Sequence, residues 1–197
     1  MSLWLARRCL ASARFAGDDC SSAIAHFEKA LGSPANLAEA KHLLANQSDI
    51  HFWLGEALDQ SGDHQRARAH WKVAAEFRGD FQQMSVRSFS EMTYYSALSW
   101  SRLGKPARAK QLLEELLAYG KALEKETAKI DYFATSLPTM LLFEDDLQAR
   151  QVTTARFLQA QALLGLGRKH KALTLLRDVL ARDSNHALAL DTLREFQ

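Results

Sequence analysis

Small and large apolar residues recur along the chain at spacings that match the period of the α-helix. Between residues 54 and 74 they form one apolar stripe on each of two successive helices. The same skeleton occurs three times, at Leu54, Gly55, Leu58, Gly62, Ala67, Trp71 and Ala74, at Ala97, Trp100, Gly104, Ala109, Leu113 and Leu116, and at Ala160, Leu163, Gly167, Ala172, Leu176 and Val179. The pattern predicts stacked helix pairs, because a two-helix unit cannot bury its apolar face alone.

Four repeats are predicted, since a fainter copy of the skeleton runs from Leu10 to Ala30. Their expected bounds are about 4–37, 48–81, 90–123 and 153–186, which leaves insertions of about 10, 8 and 29 residues between units of 34. The equivalent glycines at positions 62, 104 and 167 are expected to end the first helix of each pair, because glycine adopts the left-handed conformation without steric strain. The amphipathic tail, residues 185–197, is predicted to be a capping helix.

The residues of this skeleton resemble the tetratricopeptide repeat (TPR) family, whose 34-residue unit is a helix–turn–helix. The resemblance implies an all-α fold, a right-handed superhelix of antiparallel helix pairs with inserted helices and a C-terminal capping helix, in a single domain over residues 1–197. The chain departs from the family pattern where Ser96 and Gln159 replace the expected leucine, and where the closing proline is absent from every repeat.

A more specific resemblance rests on Asp131–Leu147, together with residues 79–82 and 89–95. These segments resemble the C-terminal TPR region of large bacterial proteins whose N-terminal part is a β-rich domain of unknown function. The resemblance implies that the chain is a fragment of a larger bacterial protein, one linked to carbohydrate metabolism.

The insertions differ in character. Asn36–Asn46 is expected to form a short helix, and Gly79–Phe89 is expected to be loop or broken helix. The insertion at 121–152 is apolar and aromatic, contains Pro138, and ends in three acids, as a functional or packing segment would. Its polar residues form a candidate secondary site for a small molecule, at Asp131, Tyr132, Glu144, Asp145 and Asp146. The alternative is that Asp145 or Asp146 simply caps the next helix.

Composition narrows the classes of function. The 197 residues contain 9 Gly and 3 Pro, too few turn residues for a β-sandwich or barrel. A net charge of +2 gives no field that would attract nucleic acid or an anionic membrane surface. Apolar runs are too short for a membrane span, and arginines interrupt the N-terminal segment where a signal peptide would be apolar. A cytoplasmic protein that contacts neither nucleic acid nor membrane is expected.

Catalysis is not indicated. The seven histidines form no metal-binding pair at helical spacing, and Cys9 and Cys20 form no metal-ligand pattern. Phosphate loops, dinucleotide fingerprints and nucleophile elbows are absent from the sequence. We therefore expect no enzyme activity, no cofactor and no metal. Some TPR domains clamp a peptide carboxylate with lysine and asparagine side chains of their first helices. Here only Arg8 is basic among the corresponding positions and no asparagine accompanies it, so that subfamily is not expected.

The first helices of the repeats are expected to line a concave groove that binds a protein or peptide. The predicted groove residues are Asp49, Phe52, Glu56, Asp59, Glu91, Tyr94, Leu98, Phe157 and Gln161. An aromatic stripe with an acidic rim suits an apolar segment that bears lysine or arginine. Two alternatives remain open: the long insertion or the terminal helix fills the groove, or the chain is a structural arm of a larger, carbohydrate-related enzyme that forms a homo-oligomer.

Overall fold

The protein is seen in a computed structural model, which describes residues 20–32, 46–77, 79–82, 85–128 and 146–196. These residues form eight helices and one short β-hairpin. The elements are α1 (Cys20–Leu31), α2 (Ser48–Gln60), α3 (His64–Glu76), β1 (Asp80–Gln82), β2 (Ser85–Arg87), α4 (Thr93–Arg102), α5 (Pro106–Lys125), α6 (Leu147–Gly165), α7 (Lys169–Arg182) and α8 (Ala187–Phe196).

Three helix pairs follow one another, α2 with α3, α4 with α5, and α6 with α7. Each pair packs on the next, and the first helices also contact one another, α2 with α4 and α4 with α6. Helix α1 packs on α2, and α8 packs on α7 at the other end of the array. The expected all-α, TPR-like fold with a C-terminal helix is therefore confirmed, whereas the repeat bounds given above remain a prediction.

The turn inside each pair is closed in the same way. Gly62, Gly104 and Gly167 have φ angles of 89°, 76° and 74°. In the first of these turns the N–H of Gly62 donates to Asp59 O at 3.1 Å, and the N–H of Asp63 donates to Leu58 O at 2.9 Å. The other two turns repeat these bonds, which together satisfy the last carbonyls of the helix.

A large apolar core runs through the pairs, beside a smaller cluster of Ala75, Trp100 and Ala109. Its buried members come from both helices of each pair, with Leu54, Leu58, Leu116, Phe157, Leu158 and Leu176 among the most deeply buried. Helix α6 contacts α4, α5 and α7, and ten of its residues are buried. Most of the favourable free energy of the fold therefore comes from burial between helices.

The prediction of loop or broken helix for Gly79–Phe89 was wrong, because Asp80–Gln82 and Ser85–Arg87 pair as antiparallel strands, with Asp80 opposite Arg87. Gly79 has a φ of 68°, a backbone conformation that turns the chain out of its helical path after α3. Asn46 holds this turn, since its Nδ2 donates to Gly79 O at 3.0 Å and its backbone N–H donates to the Asp80 carboxylate at 3.2 Å. Strands of three residues are too short to show a period in the sequence.

Several expectations fall outside the described residues. They are the first helix of the 4–37 repeat, the helix expected at Asn36–Asn46 apart from Asn46 itself, and the central part of the insertion at 121–152. The described ends of that insertion are helical: α5 continues to Lys125, and α6 begins at Leu147.

Candidate partner-binding groove

A cavity of about 380 Å³ opens between α2, α4 and α8, and we call it the α2–α4–α8 cavity. Helices α2 and α4 are first helices of neighbouring pairs, so the cavity lies on the side of the array where the groove was expected. Its lining consists of Phe52, Trp53, Glu56, Tyr94, Tyr95, Leu98, Ser101, Arg102, Thr192, Glu195 and Phe196. Its volume lies in the range of about 300–1,000 Å³ that is usual for ligand pockets.

Aromatic rings form the wall that α2 and α4 contribute. The ring of Phe52 lies 5.2 Å from that of Trp53 and 5.9 Å from that of Tyr95, measured between centroids. Tyr94 and Tyr95 meet edge to face at 5.4 Å. Such contacts fix the orientation of the rings and add to their burial. The wall therefore consists of aromatic rings that pack against one another, each at most 9% exposed.

An ion pair crosses the cavity from α4 to α2. Arg102 Nη2 lies 2.6 Å from Glu56 Oε2, and the side chains are 49% and 5% exposed respectively. The guanidinium carbon also lies 5.9 Å from the centre of the Trp71 ring, close enough for a cation–π interaction. The buried partner of this pair is the carboxylate, and the accessible partner is the cation.

The structure brings four of the nine predicted groove residues into this cavity: Phe52, Glu56, Tyr94 and Leu98. Phe52 and Tyr94 are mostly buried, so they present ring faces rather than free side chains. Substituting them would remove core packing as well as any partner contact. Leu98 is the partly exposed apolar residue of the four.

The other five predicted residues lie elsewhere. Phe157 is fully buried, with its ring 4.5 Å from the ring of His186. Gln161 is also buried, and its Nε2 donates to the carbonyl of Glu91 at 3.2 Å. Asp59 accepts from His64 Nδ1 at 2.7 Å. Of the expected aromatic stripe, Phe52 on α2 and Tyr94 on α4 thus line the cavity, whereas Phe157 on α6 is covered.

Asp49 and Glu91 lie near Asp80 of the hairpin, where three carboxylates come together. Burial is the main cause that raises the pKa of Glu91, and the negative charges of Asp80 and Asp49 raise it further. Asp49 and Asp80 are themselves buried. Glu91 therefore takes up a proton more readily than an exposed glutamate would.

The terminal helix supplies one side of the cavity through Thr192, Glu195 and Phe196. The terminal helix α8 therefore occupies part of the expected groove and leaves space beside the aromatic wall. The other alternative, occupation by the long insertion, falls outside the described residues.

The candidate secondary site is described at one position only. Asp146 is exposed and caps α6, because its carboxylate accepts from the backbone N–H of Ala149 at 2.9 Å. This confirms the helix-cap interpretation for Asp146. The other members, Asp131, Tyr132, Glu144 and Asp145, lie outside the described residues.

Sequence reasoning missed seven lining residues: Trp53, Tyr95, Ser101, Arg102, Thr192, Glu195 and Phe196. Trp53 and Tyr95 follow the predicted Phe52 and Tyr94 directly, at the sixth position of their repeats, and this repetition is a signal that could have found them. Arg102 is the last residue of α4, and its guanidinium contacts the Glu56 carboxylate on α2. The residue pattern within one repeat does not show this contact, because it joins two different helix pairs.

Within the described residues, His, Cys, Asp and Glu form no group of three or more that could hold a metal ion. Across the same residues, no helix combines the length and apolar character needed to cross a bilayer. The polar groups of the cavity are one ion pair, hydroxyls and a rim carboxylate. They can bind and orient a segment through charge and hydrogen bonds.

Comparison with known proteins points to one repeat. No solved structure matches the chain. The family model described as the tetratricopeptide repeat matches residues 154–186, which cover most of α6, all of α7 and the turn between them. The helix pair α6–α7 is accordingly similar to a tetratricopeptide repeat.

Proposed function

We propose that this chain is a non-catalytic interaction module that binds a segment of a partner protein in the α2–α4–α8 cavity. TPR repeats generally mediate contacts between proteins, which supports a scaffold role. The observation that carries the proposal is the open, aromatic-walled cavity on the side formed by first helices. Aromatic side chains in such pockets supply most of the binding free energy at protein interfaces.

Charge supports a cationic, partly apolar segment as the partner. Helices α2, α4 and α8 together carry five carboxylates, Asp49, Glu56, Asp59, Asp191 and Glu195, against two guanidinium groups, Arg102 and Arg194. The chain as a whole has a charge of +2, so these three helices are more negative than the rest of the chain. A basic residue on the partner would be attracted here, and an acidic one would be repelled.

The test is selection of a random twelve-residue peptide library on the immobilised protein, followed by calorimetric titration of the enriched peptides. Enrichment of peptides with aromatic or aliphatic residues next to arginine or lysine is expected. Leu98→Glu should weaken their binding by at least about tenfold, because it adds a charge to the apolar wall. Val73→Glu is the matched control, since Val73 is 42% exposed on α3, a second helix.

The outcomes separate clearly. Peptides that lose affinity with Leu98→Glu and keep it with Val73→Glu support the proposed site. Binding that is unchanged by Leu98→Glu, or a library without any enriched peptide, would overturn it. Phe52→Ala is not used, because truncating a buried phenylalanine costs about 3–5 kcal/mol of stability and unfolding would mimic lost binding.

A second candidate function is self-association as the structural arm of a larger protein. It is favoured by the opposite charge of the second helices: α3, α5 and α7 carry eleven Lys and Arg against five Asp and Glu. One copy could place this basic side against the acidic side of another. Light scattering would then show a mass above that of the monomer at low salt, which falls to 22.1 kDa when salt screens the charges.

A further inference from the structure

Helix α8 lies across the first helices of the three pairs, in the position that a bound segment would take. Just before its beginning, the ring of His186 lies 4.5 Å from the ring of Phe157 on α6. At its end, Phe196 lines the cavity that α2 and α4 form. Its ten residues span about 15 Å at 1.5 Å per residue, and packed helices lie about 8–10 Å apart. A helix of this length therefore reaches from α6 to the neighbouring first helices.

The buried side of α8 has the residue spacing of a helix that docks in a groove. Ala189, Thr192, Leu193 and Phe196 stand at positions i, i+3, i+4 and i+7. The first three are at most 9% exposed, and Phe196 packs against the main core cluster. Amphipathic helices that bind in grooves of other proteins use this spacing for their anchor residues. The chain thus carries its own example of a segment that the groove accepts.

Few buried side chains hold α8 in place. Three of its residues are buried, compared with ten in α6. One of the three is Thr192, whose Oγ1 donates to Leu188 O of the same helix at 2.7 Å. This hydroxyl keeps its hydrogen bond while the helix stays intact, wherever the helix moves. Elements with few buried apolar contacts open at lower free energy than the whole domain unfolds.

The connection between α7 and α8 is suited to act as a hinge. Residues 181–185 are all exposed, and they join the last turn of α7 to the residue that caps α8. Isolated helices shorter than about 12–15 residues are marginal in water. An α8 that left the groove would therefore also lose helical structure, and that loss is measurable.

We propose that α8 is an intramolecular ligand of the groove, and that an amphipathic helix of a partner with the same anchor spacing displaces it. This rests on the proposed function and adds its regulation. The closed chain offers the α2–α4–α8 cavity, and the open chain adds the side of Phe157 that His186 covers. A tethered ligand acts at an effective concentration of the order of millimolar, so a partner displaces α8 only by burying more apolar surface.

Hydrogen exchange of the unmodified full chain tests whether α8 opens by itself. Amides of residues 190–196 in α8 should exchange at least about tenfold faster than those of residues 173–182 in α7. Equal protection of the two helices would show that α8 leaves the body only when the whole array unfolds, and would overturn the proposal.

A synthetic, acetylated peptide of residues 185–197 is the probe for displacement. Full-length Leu193→Asp should bind it at least about tenfold more tightly than the unmodified chain does, because the substitution removes an anchor of the competing α8. Arg194→Asp is the matched control, since Arg194 is the next residue on the same helix and is exposed. Its affinity for the probe should equal that of the unmodified chain. A probe that carries Leu193→Asp itself should not bind.

Exchange measured with the probe bound identifies its site. Faster exchange of α8 in the unmodified chain shows that the probe replaces α8, whereas slower exchange would show that α8 stays, and would overturn displacement. Equal affinity of the unmodified chain and Leu193→Asp, or no binding by either, would also overturn it. Loss of protection throughout α7 in Leu193→Asp would show that α8 is an integral part of the fold.

These results are separable from the proposed function. Library peptides that depend on Leu98 while α8 stays protected would support binding in the cavity and overturn the displacement of α8. A library without enriched peptides, together with displacement of α8 by the probe, would leave α8 as an intramolecular ligand and overturn the proposed site for a cationic partner.

Discussion

The indole of Trp71 occupies the space in which a side chain on residue 55 would stand. A Cβ atom placed on Gly55 would lie 2.4 Å from Trp71 Nε1 and 2.5 Å from Cδ1, far inside van der Waals contact. Helices α2 and α3 therefore approach closely at this point, and Trp71 fills the approach. Alanine stands at the equivalent position of the other two helix pairs, Ala97 and Ala160, so a small residue recurs there.

Gly55→Ala should destabilise the fold by about 1–3 kcal/mol, because a rigid, buried ring must move to admit the methyl group. Urea denaturation measures the loss. Trp71→Leu in the same chain should recover part of it, since leucine vacates the clash, and a double-mutant cycle would show the coupling. Strictly additive effects of the two substitutions would contradict this account of the contact.

Glu91→Gln should stabilise the protein at pH 7.5. The pKa of Glu91 is raised by burial and by two neighbouring carboxylates, so its ionisation opposes folding at neutral pH. The carboxyl group of Glu91 is protonated at higher pH in the folded protein than in the unfolded chain, where its pKa is 4.5. The advantage of the variant should shrink as the pH falls toward 4.

Thermal unfolding of both proteins between pH 4 and pH 8 checks that prediction. Glu76→Gln is the matched control, because Glu76 is exposed at the end of α3. A stabilisation by Glu91→Gln that is equal at every pH would show that the amide acts by packing and not by removing a charge.

Protonation of His186 should loosen α8. Its Nδ1 accepts the backbone N–H of Ala189 at 3.2 Å, as the cap of the helix, and only the unprotonated nitrogen can accept. Burial lowers the pKa of His186, and Asp183 opposes the shift in part. The unfolded chain takes up a proton near pH 6.5 and the folded chain at lower pH, so stability should fall as the pH drops below 6.5.

His186→Asn should reduce that fall, because asparagine caps helices without titrating in this range. The melting temperature at pH 7.5 and pH 5.5 gives the comparison, with His170→Asn on the exposed side of α7 as control. His70 leaves a residual fall in both, since burial lowers its pKa as well. An undiminished fall in His186→Asn would refute the cap mechanism.

Arg156 joins three helices through charge. Its Nε lies 2.8 Å from Glu124 Oε1 on α5, and its Nη1 lies 2.5 Å from Asp178 Oδ2 on α7. Side-chain hydrogen bonds, first from Gln159 and then from Arg156, lower the pKa of Glu124. Burial alone would raise the pKa of Asp178, but hydrogen bonds from Arg156 and Arg182 lower it overall.

Arg156→Met should cost about 1 kcal/mol at pH 7, a small value because solvent screens these partly exposed pairs. Carboxylates with lowered pKa contribute stability above their unfolded pKa and lose it as the pH falls through the folded value. The loss should therefore fade toward pH 3 in urea denaturation. Arg177→Met, exposed on α7, is the control. A loss that persists at pH 3 would assign the effect to packing of the arginine stem.

The helix pairs were predictable because the signal repeats. One copy of Gly62 and Ala67 in a helical pattern means little, but three copies at matching positions specify a turn and a close contact. The positive φ angles at those glycines confirm the turn. The hairpin was not predictable, because its two strands are too short to carry a pattern and depend on hydrogen bonds from Asn46, more than thirty residues earlier.

The cavity lies on the side of the array where the groove was predicted, but only four of the nine predicted residues line it. Repeat positions identify which side of a helix is inner, and so Phe52 and Tyr94 were found. They do not show what covers that side. Phe157 is covered by His186, and Arg102 contacts Glu56. Each contact joins residues from different units of the chain, so the pattern within one repeat does not predict it.

Asn46 has a mechanical role in the second repeat. One side chain binds the beginning and the end of that unit, because it accepts from the N–H of Ser48 and donates to Gly79 O, 33 residues along the chain. The Oγ of Ser48 continues the connection to Ala74 O on α3. Tension applied along the chain would load these bonds before it could peel α2 from α3. The helix pair α2–α3 would therefore yield to force as one unit.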